Sequence, residues 1–409
     1  MAAGKGTRMR SELPKALTLL CGEPMLGYLL QRSGEIGCDR TLVVAGYKQA
    51  LVREYTGQRA AIVVQKKLLG SGHAVHETAG HLAGFNGPVF VFYCDTPLIR
   101  IETIRRLLAD YEKGNTDCSL LSVHCRDPRG YGLIKRNAAG SVEKIVEEND
   151  ATPEEKALTE INVGCYVFSS QKLFKALGQV RKNPKKKEYY LTDVVEILSR
   201  TGRVGAVLVE DEEEVLGINT RLELARSEAV MQKRLFEKWV EKGVRFRNPD
   251  TITIDADVKI GSETLILPGT VIEEGTVIGK NCVIGPFARI RGKSRIGDGS
   301  IVGNFVEIVR SEVGPHTQIK HLSYIGDAKI GSHVNVGAGT ITANYDGKKK
   351  HTTVIKDGAQ IGSGTVLVAP VTVGRSAKTG AGAVVTSRKN VPDRAVVVGV
   401  PAKILSTKK

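Results

Sequence analysis

The first fifteen residues concentrate groups that could hold a phosphate: Ala2-Ala3-Gly4-Lys5-Gly6-Thr7-Arg8, followed by Leu13-Pro14-Lys15. Glycines let backbone N–H groups approach phosphate oxygens closely, while Lys and Arg neutralise their charge. A lone Gly-x-Gly is weak evidence and is compatible with a flexible basic terminus. A second polar concentration lies far downstream. There Ala338-Gly339-Thr340-Ile341-Thr342-Ala343-Asn344-Tyr345-Asp346-Gly347 and a lysine run interrupt a regular glycine repeat. A polar loop that interrupts a solenoid usually lies on its binding face. Just upstream, His321 carries an imidazole suited to proton transfer near neutral pH. A single His in a strand is more often structural, so its neighbours must decide.

These residues need elements to position them. From about Val258 onward an Ile or Val followed by Gly keeps returning. Gly261, Gly279, Gly285, Gly297 and Gly303 share one six-residue phase. Gly314, Gly326, Gly362, Gly374 and Gly380 share a second, and Gly331 and Gly337 a third. An α-helix scatters a period of six around its axis. A parallel β-helix uses it, with a short strand and a turn in each repeat and an aliphatic column inside.

Ahead of Asn219 the pattern is different. Leu42–Tyr47, Ala61–Gln65, Val89–Asp95 and Cys118–Val123 read as buried strands, and Pro24–Ser33, Gly72–Leu82 and Ile101–Lys113 as helices. That alternation predicts a mostly parallel, Rossmann-like α/β sheet with helices on both faces and ligands at the carboxyl ends of its strands. Between the halves, Thr220 to Gly243 has the composition of one long connecting helix, with Trp239 as a packing anchor and Pro249 beyond its end. The expected domains are 1–219, a linker over 220–249, and 250–409.

Composition bounds the function classes. The 409 residues allow two or three domains with full cores. Lys+Arg 59 against Asp+Glu 44 gives a net charge of +15, which points to anionic partners. Lys185-Lys186-Lys187, Lys348-Lys349-Lys350 and Lys408-Lys409 are short, separated and not interleaved with aromatics, so we expect small polyanionic substrates and no nucleic acid. Seven scattered cysteines without a C-x-x-C pair read as reduced thiols of a cytoplasmic protein. With no run of 18 apolar residues, no membrane insertion is expected.

The N-terminal motif, Gly-x-Gly-Thr-Arg-Met then Leu-Pro-Lys, resembles that of sugar-1-phosphate nucleotidylyltransferases. Further matches follow in order: Gln65 before Leu69-Gly70-Ser71-Gly72-His73-Ala74, Tyr93-Cys94-Asp95, Gly130-Tyr131-Gly132, Glu147, Glu160-Ile161-Asn162-Val163-Gly164 and Gly217-Ile218-Asn219. With the six-residue repeats, essentially the full chain resembles the bifunctional N-acetylglucosamine-1-phosphate uridylyltransferase/glucosamine-1-phosphate N-acetyltransferase family. The resemblance implies Mg²⁺ on Asp95 and Asn219, and Arg8 and Lys15 on the phosphates of UTP beside Ala2, Ala3, Gly4, Lys5 and Gly6. It assigns Gln65, Gly70 and Ser71 to uracil, and Gly132, Glu147 and Asn162 to the sugar. It makes His321 the general base of acetyl transfer from acetyl-CoA to glucosamine-1-phosphate, with N-acetylglucosamine-1-phosphate as the product passed on. Arg291, Tyr324, Asn335 and Asn344 would bind the amino sugar, while Ala338, Tyr345, Ser363 and Ala381 would line an acetyl-CoA groove between subunits of a homotrimer. The β-helix would be left-handed, with three repeats per coil and thus about eight coils from Thr251 to about Val398.

Several positions depart from the family pattern. An apolar strand normally precedes Ala-Ala-Gly-Lys-Gly; here Met1 stands where relatives carry Leu, and we expect a misassigned start. Relatives run about two coils longer ahead of Ile284. Leu133 replaces an Arg of many relatives. Val309 stands where a Lys helps to hold the sugar phosphate, and Gly399 where an Arg contacts the cofactor. Arg310 follows Val309, but adjacent strand residues point to opposite faces. Two alternatives stay open: a nucleotidylyltransferase whose β-helix is only a trimerisation scaffold, or the same two reactions on another amino sugar phosphate such as galactosamine-1-phosphate.

Overall fold

The computed structural model describes residues 1–407; the Lys408-Lys409 pair lies outside the described residues. The described residues divide into two compact units, Met1–Leu20 with Pro24–Val230, and Cys21–Glu23 with residues 231–407.

In the first unit the strand Glu160–Ser169 is the spine of the larger sheet. Cys165 and Val167 face one side and Tyr166 and Phe168 the other, all with no exposed surface, because successive strand side chains alternate. The helix Ile101–Gly114 covers the first face through Ile104 and Leu107. The helices Ser170–Leu177 and Thr192–Ser199 cover the second through Leu173, Val194 and Val195. The sheet is mixed, not mostly parallel. Val204–Val209 runs parallel to Cys118–His124, and Leu42–Ala45 to Ala61–Val64. Glu160–Ser169 is antiparallel to all three of its partners, Pro88–Phe92, Cys118–His124 and Gly132–Arg136. Its direction is set through the antiparallel pair Gly132–Arg136 and Val142–Glu147, which needs no helical crossover.

Leu42–Ala45 and Ala61–Val64 form a separate two-stranded sheet. The first residues of the chain bond both to it and to the segment that begins with Pro88–Phe92. Ala2 N donates to Val44 O (2.8 Å), the Met1 ammonium donates to Phe92 O (2.5 Å), and Cys94 N donates to Met1 O (3.2 Å). Behind this stub a cavity of about 590 Å³ separates the facing strand edges, lined by Leu26, Leu30, Val44, Val91 and Phe92 among others.

The second unit is the left-handed parallel β-helix. Three sheets of ten, eight and seven strands form its faces, parallel from coil to coil except for the last strand of the ten, Lys403–Thr407, which returns antiparallel. The eight-stranded face counts eight coils from Thr253–Ile254 to Val384–Val385. Ile254, Ile272, Ile290, Ile308, Ile325 and Leu367 form an inner column, each almost wholly buried. The three glycine phases now have a cause. Coils are 18 residues long where Ile254 pairs with Ile272, 17 where Ile308 pairs with Ile325, and 25 where Ile341 pairs with Val366. Each one-residue shortening shifts the beat, and the long loop after Ala343 shifts it again. Trp239, near the end of the helix Arg221–Glu241, is 4% exposed and packs into this core.

The recurring glycines answer to coil spacing. A Cβ at Gly303 would lie 1.9 Å from Lys320 O, and one at Gly337 2.5 Å from Ser363 N. Gly303→Ala therefore overpacks the stack, and we expect a loss of about 1–3 kcal/mol, read as a lower unfolding temperature. An unchanged transition would show that the coils can part without cost.

Candidate functional site

In the first unit the segment expected to hold phosphate starts beside the carboxyl end of the strand Leu42–Ala45, where Ala2 bridges to Ala45 and Tyr47 N donates to Ala3 O (3.1 Å). Ala2 and Ala3 are buried, while Gly4 and Lys5 are exposed. Gly6 is left-handed (φ 63°), and a Cβ there would lie 2.6 Å from Lys15 Cβ. Glycine is thus required twice, for conformation and to seat the lysine. The Lys15 ammonium donates to Asp95 Oδ2 (2.6 Å) and Asn219 Oδ1 (2.8 Å), and Arg8 Nη2 donates to Asn219 Oδ1 (2.9 Å). Asp95 and Asn219 are 124 residues apart in sequence, yet their oxygens share one cation. Glu223 holds the second of them by accepting from Asn219 N (2.8 Å) and Thr220 N (2.7 Å).

The convergence of Asp95 and Asn219 on one ammonium is what a divalent cation site requires of its protein oxygens, so the pair fits Mg²⁺. Among the described residues no group of three or more His, Cys, Asp or Glu could hold a metal. Water and substrate phosphate oxygens would complete the shell, as is usual for Mg²⁺.

Gln65 is buried, and its Nε2 reaches Gly70 O (3.0 Å) and His73 Nδ1 (3.1 Å), leaving Oε1 free. Gly70 adopts φ 101° against Tyr189 O, and Ser71 Oγ accepts from Leu191 N (3.0 Å). Gly132 lies opposite Glu147 across the hairpin. Glu147 Oε1 accepts from Thr192 Oγ1 (2.8 Å), and burial above all pushes its carboxyl pKa up. Asn162 Nδ2 donates to Tyr166 Oη (2.7 Å), and its Oδ1 accepts from Gly164 N (3.2 Å). Sequence reasoning missed the supporting run Tyr189-Tyr190-Leu191-Thr192-Asp193, whose signal was an aromatic pair between the lysine run 185–187 and the apolar start of the next helix.

In the second unit His321 Nδ1 donates to Asn304 Oδ1 (3.0 Å), its strand partner one coil earlier. That bond fixes the tautomer and leaves the Nε2 lone pair bare. Asn304 was missed because it is 17 residues away, one coil length that only the register reveals. The same step carries on. His321 stacks below Ala338, then Ser363 and Ala381, a column of small residues flanked by the left-handed Gly339, Gly364 and Gly382. The column ends at Gly399, whose carbonyl accepts from Val384 N (3.1 Å).

Around the next corner, Arg291 Nε donates to Glu307 Oε1 (2.8 Å), and Glu307 lies beside Tyr324 in the ladder. Asn344 Nδ2 donates to Asp327. Tyr345 is exposed, with its hydroxyl on Gly347 O (2.7 Å). Asn335 does not join this group. It pairs with Gln318 at the start of the His321 strand, about 10 Å from the level of the imidazole. The alternation argument against Arg310 also fails. Its backbone is left-handed (φ 48°), which ends the strand pattern, and its guanidinium meets Asp327 on the same side as Tyr324 and Asn344.

A family model described as MobA-like NTP transferase domain matches residues 1–189, and one described as bacterial transferase hexapeptide matches residues 257–292 and 275–310. A protein of Shouchella clausii named bifunctional protein GlmU is 39% identical over 97% of this chain and 95% of its own length. The chain belongs to the GlmU family. GlmU proteins of Geobacillus thermodenitrificans and Heliobacterium modesticaldum are 41% and 42% identical, over 98% and 97% of this chain and 94% of each relative. As a GlmU-type protein the chain is a transferase with uridylyltransferase and acetyltransferase activities in UDP-N-acetylglucosamine synthesis, carried by its two units. No helix among the described residues is long and apolar enough to cross a membrane.

Asp193, next to the Glu147 brace, gives a test of the first site's electrostatics. Burial first, then Glu147, Glu196 and Asp150, raises its carboxyl pKa from 3.8 to about 6. The folded state holds this proton more tightly than the unfolded one, so stability falls as pH rises from about 4 through 6. Asp193→Asn should raise the unfolding temperature at pH 8 and leave it nearly unchanged at pH 4. An equal shift at both values would show that the carboxylate is not penalised.

Proposed function

We propose that the second unit transfers the acetyl group of acetyl-CoA to the amine of glucosamine-1-phosphate, and that the first unit then couples N-acetylglucosamine-1-phosphate to UTP. In the acetyl transfer the amine attacks the thioester carbonyl, His321 Nε2 takes the proton the nitrogen loses, and the CoA thiolate leaves. Asn304 keeps the imidazole in the tautomer that can accept it. The trough of Ala338, Ser363 and Ala381 gives a thin acyl chain close access to the backbone, and Tyr345 stands at its side. The observation that carries this reading is the His321–Asn304 bond at the head of that trough.

In the uridylyl transfer the sugar phosphate attacks the α-phosphorus of UTP and pyrophosphate departs. Both reactants are anions, so the work is neutralisation and alignment. Lys15 and Arg8 supply fixed charge, and Gly4, Lys5 and Gly6 offer backbone and side-chain donors. Mg²⁺ held by Asp95 and Asn219 would screen the phosphate charge. The free Oε1 of Gln65 suits the N3–H of uracil, while Gly132, Glu147 and Asn162 border the sugar position.

A homotrimer completes the reading. Phe287 and Phe305 stack at 5.3 Å on one corner of successive coils, followed by Leu322, and all three are more than half exposed. Such a ladder is expensive to leave in water and is suited to contact with a second copy. The free thiols accord with a cytoplasmic location.

Each half-reaction can be assayed separately with glucosamine- and galactosamine-1-phosphate. His321→Ala should lower CoA release by 10²-fold or more and leave pyrophosphate release intact. Wild-type rates of CoA release in that variant would reject the base, and none from the wild type would support a bare scaffold. Phe305→Glu should convert trimer to monomer in light scattering; an unchanged mass would remove the ladder from the interface.

A further inference from the structure

The two short coils meet at one corner. Ahead of Arg295 the corner holds Gly292-Lys293-Ser294, whereas the next two coils have only Arg310-Ser311 and Asp327-Ala328 at that place. Shortening leaves a single left-handed residue at each, Arg310 (φ 48°) and Asp327 (φ 49°), so their side chains leave the solenoid together. Asn344 takes the equivalent place one coil later. Gly292 makes the room: a Cβ there would lie 2.8 Å from Arg310 Cγ.

The result is a bonded column beside the acetyl-acceptor residues. Arg310 Nε and Nη2 donate to Asp327 Oδ1 (2.7 Å) and Oδ2 (2.9 Å), and Asp327 also accepts from Asn344. The Tyr324 phenol lies near the guanidinium. A guanidinium carries five N–H donors. The Asp327 fork uses two and fixes the plane, which leaves the opposite edge free on a side chain that is 35% exposed. Val309, which precedes it, is apolar and wholly buried outside the inner core.

We propose that Arg310 binds the phosphate of the amino sugar phosphate in the acetyl-transfer site, its free edge facing the phosphate oxygens while Asp327 holds it in plane. Planar bidentate donation suits a phosphate monoester. The proposal rests on the acceptor site at Tyr324 and Asn344 given above.

The test compares wild type, Arg310→Gln and Arg310→Lys. With glucosamine-1-phosphate, Arg310→Gln should raise KM at least tenfold with kcat little changed, and Arg310→Lys should recover part of the loss. KM for acetyl-CoA, and turnover of unphosphorylated glucosamine, should stay within twofold. Equilibrium dialysis with glucosamine-1-phosphate should show the same tenfold weakening in Kd, whether or not turnover is detected. Equal Kd values for wild type and Arg310→Gln, or an equal loss on glucosamine, would overturn the assignment. Failure of the acetyl-transfer reading has a different signature, full CoA release by His321→Ala.

Discussion

Neighbouring coils of the solenoid lie one strand spacing apart, about 4.8 Å, and every coil must repeat what the one below it allows. This spacing excludes a Cβ at Gly303 and Gly337, where the next backbone occupies the place it would take. It makes residues one coil apart into neighbours, so that a function can be written as a column. His321 is aimed by Asn304 in that way, and the trough of Ala338, Ser363 and Ala381 extends the same column. Where a coil loses one residue the corner tightens and a charged side chain is turned out of the stack, as at Arg310 and Asp327. Where a coil gains residues, a loop carries Tyr345 away from it.

The first unit obeys a different constraint. Its site is assembled from chain segments far apart in sequence, and charge draws them together. Lys15 lies between Asp95, whose counter-ion it is, and the neutral amide oxygen of Asn219, with 12% of its side chain exposed. Removing Lys15 or Asp95 would leave the other partly shielded charge uncompensated. The same arrangement would keep these oxygens close enough to share a metal ion and the neighbouring cations close enough to meet phosphates.

Much of both sites was legible from residue order. The glycine-basic segment and the interrupted repeat could be picked out because each is local, whereas Asp95, Asn219 and His321 entered through the family resemblance. Most strands and helices before Cys118 were legible for the same reason, being short runs of apolar residues with clear periods, but the helix Gln49–Thr56 was not. The antiparallel course of Glu160–Ser169 was not, because strand direction depends on partners as distant as Pro88–Phe92. The isolation of Asn335 from Tyr324 and Asn344 was also hidden, since it follows from which face of the coil each residue occupies.

By itself the sequence determined the architecture of each half and the residue types available for phosphate, metal and proton chemistry. A period of six admits a β-helix and excludes an α-helix, and a clustered Gly-Lys-Gly-Thr-Arg needs no distant partner to be recognised. Tertiary structure decided which of those residues act together. Arg310 shows the difference: strand alternation sets it apart from the site, and a one-residue-short corner with a left-handed backbone returns it there. Coil length is a property of how turns close against one another, and it appears only when the coils are stacked.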